Sequence, residues 1–217
     1  MNNTEPLITI DQLTKSFKKI AVIEDLSHQF KAGERIALVG QNGAGKTTLI
    51  RSILGLYDYE GNIEVLGMNP RKEREIILQN IGFVPQIPPP IKMTVKEMLE
   101  FFATLTKTDK QEFIDISENL GLDVKLNINK PFMKLSGGMK QKLLVSFALG
   151  RKPKILLMDE PAANLDPTAR TILFDYLHKF DKNALMIISS HRIDEVKNLV
   201  NRLVEMDMGK IVVNKQV

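Results

Sequence analysis

Two short runs of this chain carry residue types able to handle a triphosphate. The first is Gly40-Gln41-Asn42-Gly43-Ala44-Gly45-Lys46-Thr47. Closely spaced phosphate oxygens need several donors converging on one point. Gly40, Gly43 and Gly45 permit a tight loop whose backbone N–H groups face inward. A helix starting directly afterwards adds its positive N-terminal end. Lys46 supplies a mobile point charge to the outer phosphates, the Thr47 hydroxyl is placed to ligate magnesium, and Thr48 is a further donor. A glycine-rich strand–helix turn without a ligand would not need the full eight-residue pattern. Many unrelated ATPases and GTPases share such a loop, so alone it establishes only a bound nucleoside triphosphate.

The second run is Asp159-Glu160. Four apolar residues, Ile155 to Met158, precede it, so Asp159 ends a strand with its carboxylate emerging from a dry core. That is where ATPases with such loops hold magnesium. Alternation along the strand sends Glu160 to the opposite side. There it can orient the attacking water or take its proton. The plainer alternative is a pair of solvated carboxylates at a strand end.

These residues need a scaffold, and the patterning describes one. Ile8–Leu13 and Val22–Phe30 alternate as partly exposed strands, with a turn at Lys31-Ala32-Gly33-Glu34. Arg35–Val39 is an apolar strand delivering the chain into the glycine loop, followed by a helix from Lys46 to about Leu54. Gly61–Leu66 and Ile81–Pro85 are short strands. Beyond the stiff Pro88-Pro89-Pro90 the character changes. Thr94-Val95-Lys96-Glu97 has capping-box form and opens a helix through Leu99, Phe102 and Leu105. Phe113, Ile116 and Leu120 mark a second helix. Strands Ile155–Met158 and Ala184–Ser189 then alternate with helices Thr168–Phe180 and Asp194–Leu199. A hairpin over Arg202–Val213, turned at Asp207-Met208-Gly209, closes the chain. The expectation is an α/β protein of the P-loop NTPase fold. It has a mostly parallel sheet core, an N-terminal antiparallel β subdomain, and a helical insert over about 88–150 within one domain spanning 1–217.

The bulk properties exclude more than they select. A chain of 217 residues with 43% hydrophobic and 26% charged content is ordinary for a globular domain. Its net charge of +4 comes from dispersed Lys and Arg, compatible with nucleic acid or with an anionic membrane surface. With no cysteine there is no disulfide framework, thiolate nucleophile or cysteine-bound metal, which suits a reducing compartment. Met1 to Ile10 lacks the layout of a secretory leader, and no apolar run is long enough to cross a bilayer.

One further segment makes the reading specific. Leu135-Ser136-Gly137-Gly138-Met139-Lys140-Gln141, shortly before the strand ending in Asp159-Glu160, resembles the signature of ABC ATPases. Asp159-Glu160-Pro161-Ala162-Ala163-Asn164-Leu165-Asp166 is similar to that family as well. The resemblance implies Mg2+ and ATP as ligands, with Thr47, Gln86 and Asp159 at the metal. Gly40 to Thr48 cradle the phosphates, Lys46 and Glu160 serve catalysis, and His191 contacts the γ-phosphate. Phe17 stands where the family stacks an aromatic on adenine, most often tyrosine. Ser136, Gly137 and Gly138 act on the nucleotide of a partner subunit, and Asp166 belongs to the loop linking the two sites. Met139 for the usual Gln, and Asn164 for Gly or Ser, are departures that remove no catalytic group.

The implied machine is a pair of ATPase subunits, most simply two copies of this chain, closing on ATP. They drive a separate integral membrane permease from the cytoplasmic face of the membrane. Ile81–Gln86 followed by Met93–Glu97 resembles small exporter-type subunits. The alternative is a soluble ABC ATPase for cofactor or metal-centre assembly. Nucleic-acid work is not expected, because zinc modules, long heptads and tandem ATPase motifs are all missing from the sequence.

Overall fold

A computed structural model describes residues 5–191 and 193–217. Residues 1–4, part of the stretch read for a leader, and Arg192 lie outside the described residues. The chain opens with a long hairpin, β1 (Pro6–Phe17) and β2 (Ile20–Lys31), turned at Lys18-Lys19. Both turn residues have positive φ, 47° and 69°. That matches the twist of the flanking strands. β4 (Glu60–Val65) pairs antiparallel with the other side of β1, giving a three-stranded sheet in the order β2-β1-β4.

The second sheet has six strands. They are β3 (Arg35–Val39), β5 (Ile81–Val84), β6 (Ile155–Asp159), β7 (Leu185–Ser189), β8 (Arg202–Asp207) and β9 (Lys210–Gln216). Their order is β5-β6-β7-β3-β8-β9, parallel throughout except for the β8–β9 hairpin. β6 and β7 are buried at every position. Alternate residues serve different cores: Ile36, Leu38, Leu157 and Ile187 face β1, β2 and the first helix, while Ala37, Leu156, Met186 and Ile188 face the other side. Parallel neighbours cannot be joined by a tight turn, and the connections between them carry helices.

α1 (Lys46–Ile53) follows β3. α2 (Arg74–Leu78) precedes β5 and was not legible in the pattern, because only Ile77 of its five residues is buried. Between β5 and β6 come α3 (Val95–Thr106), α4 (Lys110–Asn119), α5 (Val124–Asn127) and α6 (Gly137–Gly150). They enclose a third core of Val95, Met98, Leu99, Phe113, Phe132 and Phe147, in which Phe102 stacks on Phe147 at 4.2 Å. α6 is buried from Gln141 to Gly150, since it faces this core and the sheet together. Thr94 makes both bonds of the expected capping box with Glu97. α7 (Pro167–Lys179) begins one residue before the expected start, capped by Asp166 with Pro167 at its first position. The expected helix over Asp194–Leu199 is a single turn, α8 (Ile193–Val196). β9 runs past the expected Val213 because it stays paired with β8 as far as Gln216.

Among the described residues no helix is long and apolar enough to cross a membrane.

Candidate functional site

The parallel strands end on one edge, and the chemistry collects there. β3 runs into the glycine loop, which leaves between its neighbours β7 and β8. Two glycines in that loop are sterically required. A Cβ on Gly40 would stand 2.2 Å from the Met206 carbonyl oxygen. Gly45, at φ 106°, caps α1 in a left-handed conformation that side chains disfavour. The cleft outside the loop measures ≈ 280 Å³ and is lined by Val22, Asn42, Gly43, Lys46, Thr47, Thr48, Gln86, Asp159 and Glu160, with Gly45 completing it. A wider groove of ≈ 610 Å³ continues past Gly40, Gln41 and Asn42 to His191 and Glu205. Ala44, also assigned to the nucleotide by sequence, is buried beneath the loop and accepts from Gly209 N–H through its carbonyl.

Lys46 is buried, and its Nζ donates to the loop's own carbonyls at Gly40 (2.6 Å) and Gln41 (3.0 Å). Thr47 Oγ1 donates to Asp159 Oδ2 at 2.8 Å, so a hydroxyl and a carboxylate stand side by side at the cleft wall. The other Asp159 oxygen, Oδ1, accepts from Ser189 Oγ at 2.6 Å. That same hydroxyl accepts from the Glu160 N–H at 3.0 Å. Ser189 is thus a site residue that sequence reasoning missed. Its only advance signal was a hydroxyl closing an apolar strand, and its partner depends on β6 pairing beside β7 with Asp159 opposite Ser189.

Glu160 does not simply alternate away from Asp159. The strand ends at Asp159, and Glu160 turns at φ 49°, a left-handed conformation rare outside glycine. Alternation predicts the opposite side; the left-handed turn instead brings Glu160 to the same cleft as Asp159, which both residues line. Glu160 Oε2 lies 3.0 Å from His191 Nδ1. A carboxylate only accepts, so Nδ1 carries the hydrogen. Glu160 is nearly buried and the imidazole is half exposed.

A magnesium–nucleotide complex fits this donor set. Among the described residues no group of three or more acidic, His or Cys side chains gathers as a self-sufficient metal cage. A hydroxyl beside one carboxylate is instead what magnesium uses when phosphate oxygens complete its shell.

Other sequence-assigned residues lie elsewhere in the chain. Ser136 caps α6, its Oγ accepting from Met139 N–H. Ser136, Gly137, Gly138 and Asp166 do not line the glycine-loop cleft. They meet one another's surroundings instead: a Cβ on Gly138 would approach the Asn164 carbonyl to 2.9 Å. Asp166 pairs with Lys142 at 2.8 Å and caps α7 through Ala169 N–H. The Lys142 hydrogen bond, then the Ala169 N–H, hold its carboxyl below the ordinary 3.8. Gln141 Nε2 donates to Pro161 O at 3.1 Å, tying α6 to the turn that carries Glu160. Phe17 ends β1, partly exposed and edge-to-face with Tyr57.

The model of the ABC transporter family matches residues 23–163, well over half of the sequence. The chain belongs to the ABC transporter family. The ABC transporter ATP-binding protein YxlF of Bacillus subtilis (strain 168), itself uncharacterized, is 34% identical over 211 residues, 94% of this chain and 69% of that one. The tungstate uptake system ATP-binding protein TupC of Peptoclostridium acidaminophilum is 32% identical over 216 residues, 94% of this chain and 96% of its own length. Other ABC relatives are far longer, and this chain spans 9% of two of them. A solved ATP-binding subunit of an ABC transporter superposes with a TM-score of 0.85 at 25% identity, covering 97% of this chain and 90% of the other. The P-loop NTPase fold with its antiparallel subdomain is therefore that of ABC ATPases.

Proposed function

We propose that this chain is the ATP-hydrolysing subunit of a transporter. It binds Mg-ATP between two ATPase subunits and drives a separate integral membrane permease from the cytoplasmic face. The observation that carries the proposal is the linked set at the strand ends. Thr47, Asp159 and Ser189 are joined by hydrogen bonds, and Glu160 is held to both Ser189 and His191.

In this reading the loop from Gly40 to Thr48 presents its N–H groups to the phosphates. Lys46 turns from its own loop carbonyls to the outer phosphate oxygens. Thr47, Asp159 and Gln86 would hold magnesium, which neutralises charge on the transferring phosphoryl group. Glu160 orients the attacking water and receives its proton, while His191 fixes the carboxylate and reaches the γ-phosphate. Phe17 stacks on the base.

The Ser136–Gly138 segment belongs to the partner's nucleotide, which accounts for its position away from this chain's own cleft. Asp166 then links the two sites. The helices between 88 and 150 act as the moving insert of one ATPase domain, with the permease contacting the surface near Gln86 and Pro88–Pro90. Export is the direction that the Ile81–Gln86 and Met93–Glu97 segments support. TupC, similar over the same length, is named for uptake.

Glu160→Gln tests the chemistry. ATP turnover should fall by about 10²- to 10⁴-fold while nucleotide stays bound. A variant turning over at the original rate would show that Glu160 has no such role.

A further inference from the structure

An aromatic pair, Phe17 and Tyr57, stands by the β1–β2 turn, outside the residues that line the phosphate cleft but with Phe17 on the hairpin that reaches it. Phe17 pairs with Ile20 across the β1–β2 turn. Val22, two residues farther along β2, lines the cleft, and its carbonyl lies against Gly45. Phe17 is 39% exposed, an apolar ring left partly open at a polar edge.

That ring is braced on several sides. Its centroid lies 5.2 Å from that of Tyr57, with the planes at 84°. Lys15 Nζ stands 4.6 Å from the Phe17 centroid and 5.5 Å from the Tyr57 centroid, and donates to Asp58 O at 2.6 Å. Arg51 Nη1 donates to the Tyr57 hydroxyl at 2.8 Å. Arg51 lies in the last turn of α1, whose first turn carries Lys46, Thr47 and Thr48.

We propose that Tyr57 is a positioning residue for the nucleotide base. It fixes Phe17 so that the open part of the ring is a ready platform for a stacked base. This rests on the reading of Phe17 as the base-stacking residue. A half-exposed phenylalanine at a hairpin end would otherwise be ordered only on binding, at a cost in affinity. Edge-to-face packing and the Lys15 charge shared over both rings hold it beforehand. The Tyr57 hydroxyl has its own purpose. Through Arg51 it anchors the platform to the far end of the phosphate-binding helix, so one rigid element sets the distance from base to phosphates.

A purely structural Tyr57 would affect every ligand of the cleft alike, and a positioning Tyr57 only those that carry a base. The experiment is calorimetric titration with two probes: a magnesium complex of a non-hydrolysable ATP analogue, and magnesium tripolyphosphate. Tyr57→Ala should weaken the nucleotide about three- to tenfold and change tripolyphosphate by less than about twofold. Tyr57→Phe, which keeps the ring but loses the bond to Arg51, should recover only part of the loss. Phe17→Ala should weaken the nucleotide at least as much as Tyr57→Ala. If Phe17→Ala weakens the nucleotide and Tyr57→Ala does not, the positioning role is wrong while the platform stands. Indifference to Phe17→Ala would remove the platform itself and Tyr57's role with it. Equal weakening of both probes by Tyr57→Ala would reduce Tyr57 to a structural residue.

Discussion

Ser189 ties the Asp159 carboxylate to the backbone of Glu160. Fully buried, it donates to Asp159 and accepts from the Glu160 N–H, so one hydroxyl links two adjacent residues of the cleft wall. Ser189→Ala leaves a buried Asp159 oxygen without that donor, and leaves the Glu160 N–H with only its longer bond to the Ser189 carbonyl. Urea denaturation should show a loss of about 1–3 kcal/mol. A loss of only a few tenths would mean that neighbouring groups or water replace the hydroxyl. His28, on β2, gives a pH-dependent counterpart. Burial, aided by the Arg202 charge and opposed by Glu34, holds its imidazole below the ordinary 6.5. The unfolded chain therefore takes up a proton near pH 6.5 that the folded chain still refuses. Stability is full above that pH and declines as pH falls through 6.5 towards the folded value. His28→Gln should flatten the difference between denaturation midpoints at about pH 7.5 and about pH 5.5. An undiminished difference would place its origin in other groups.

At the scale of elements, legibility followed burial and local chemistry. The glycine loop, β3, β6 and β7 were readable because a short apolar run feeding a turn residue has few other interpretations. The Thr94 box announced α3, and there the structure agrees to the atom: Thr94 Oγ1 accepts from Glu97 N–H, and Glu97 Oε2 accepts from Thr94 N–H. Thr94→Ala should cost about 1 kcal/mol of stability, read as a lower denaturation midpoint at unchanged slope. No shift would mean that packing alone sets the start of α3. α2 and α5 went unread because each is about one turn long and buries one or two side chains. The turn at Glu160 went unread for another reason. Alternation assumes that the strand continues, whereas the backbone leaves it at φ 49°. Contacts such as Ser189 with Asp159, or Tyr57 with Phe17, depend on strand register and on how the hairpin lies over α1. No local pattern encodes either.

At the scale of the molecule, the glycine-loop cleft and the Ser136–Gly138 segment do not meet within one chain. The glycine-loop cleft holds Lys46, Thr47, Gln86, Asp159 and Glu160, while Ser136–Gly138 opens a different surface at the start of α6. α6 nevertheless bears on the cleft mechanically. Gln141 contacts the turn after Glu160, and Lys142 holds Asp166 at the head of α7. Such an arrangement is purposeful if a second subunit supplies the missing half and ATP joins the two. Sedimentation equilibrium of the Glu160→Gln chain, with and without Mg-ATP, tests this most directly. The account predicts a particle of 24.5 kDa without nucleotide and one of twice that mass with it. A single-chain mass at every protein concentration, with ATP demonstrably bound, would contradict it.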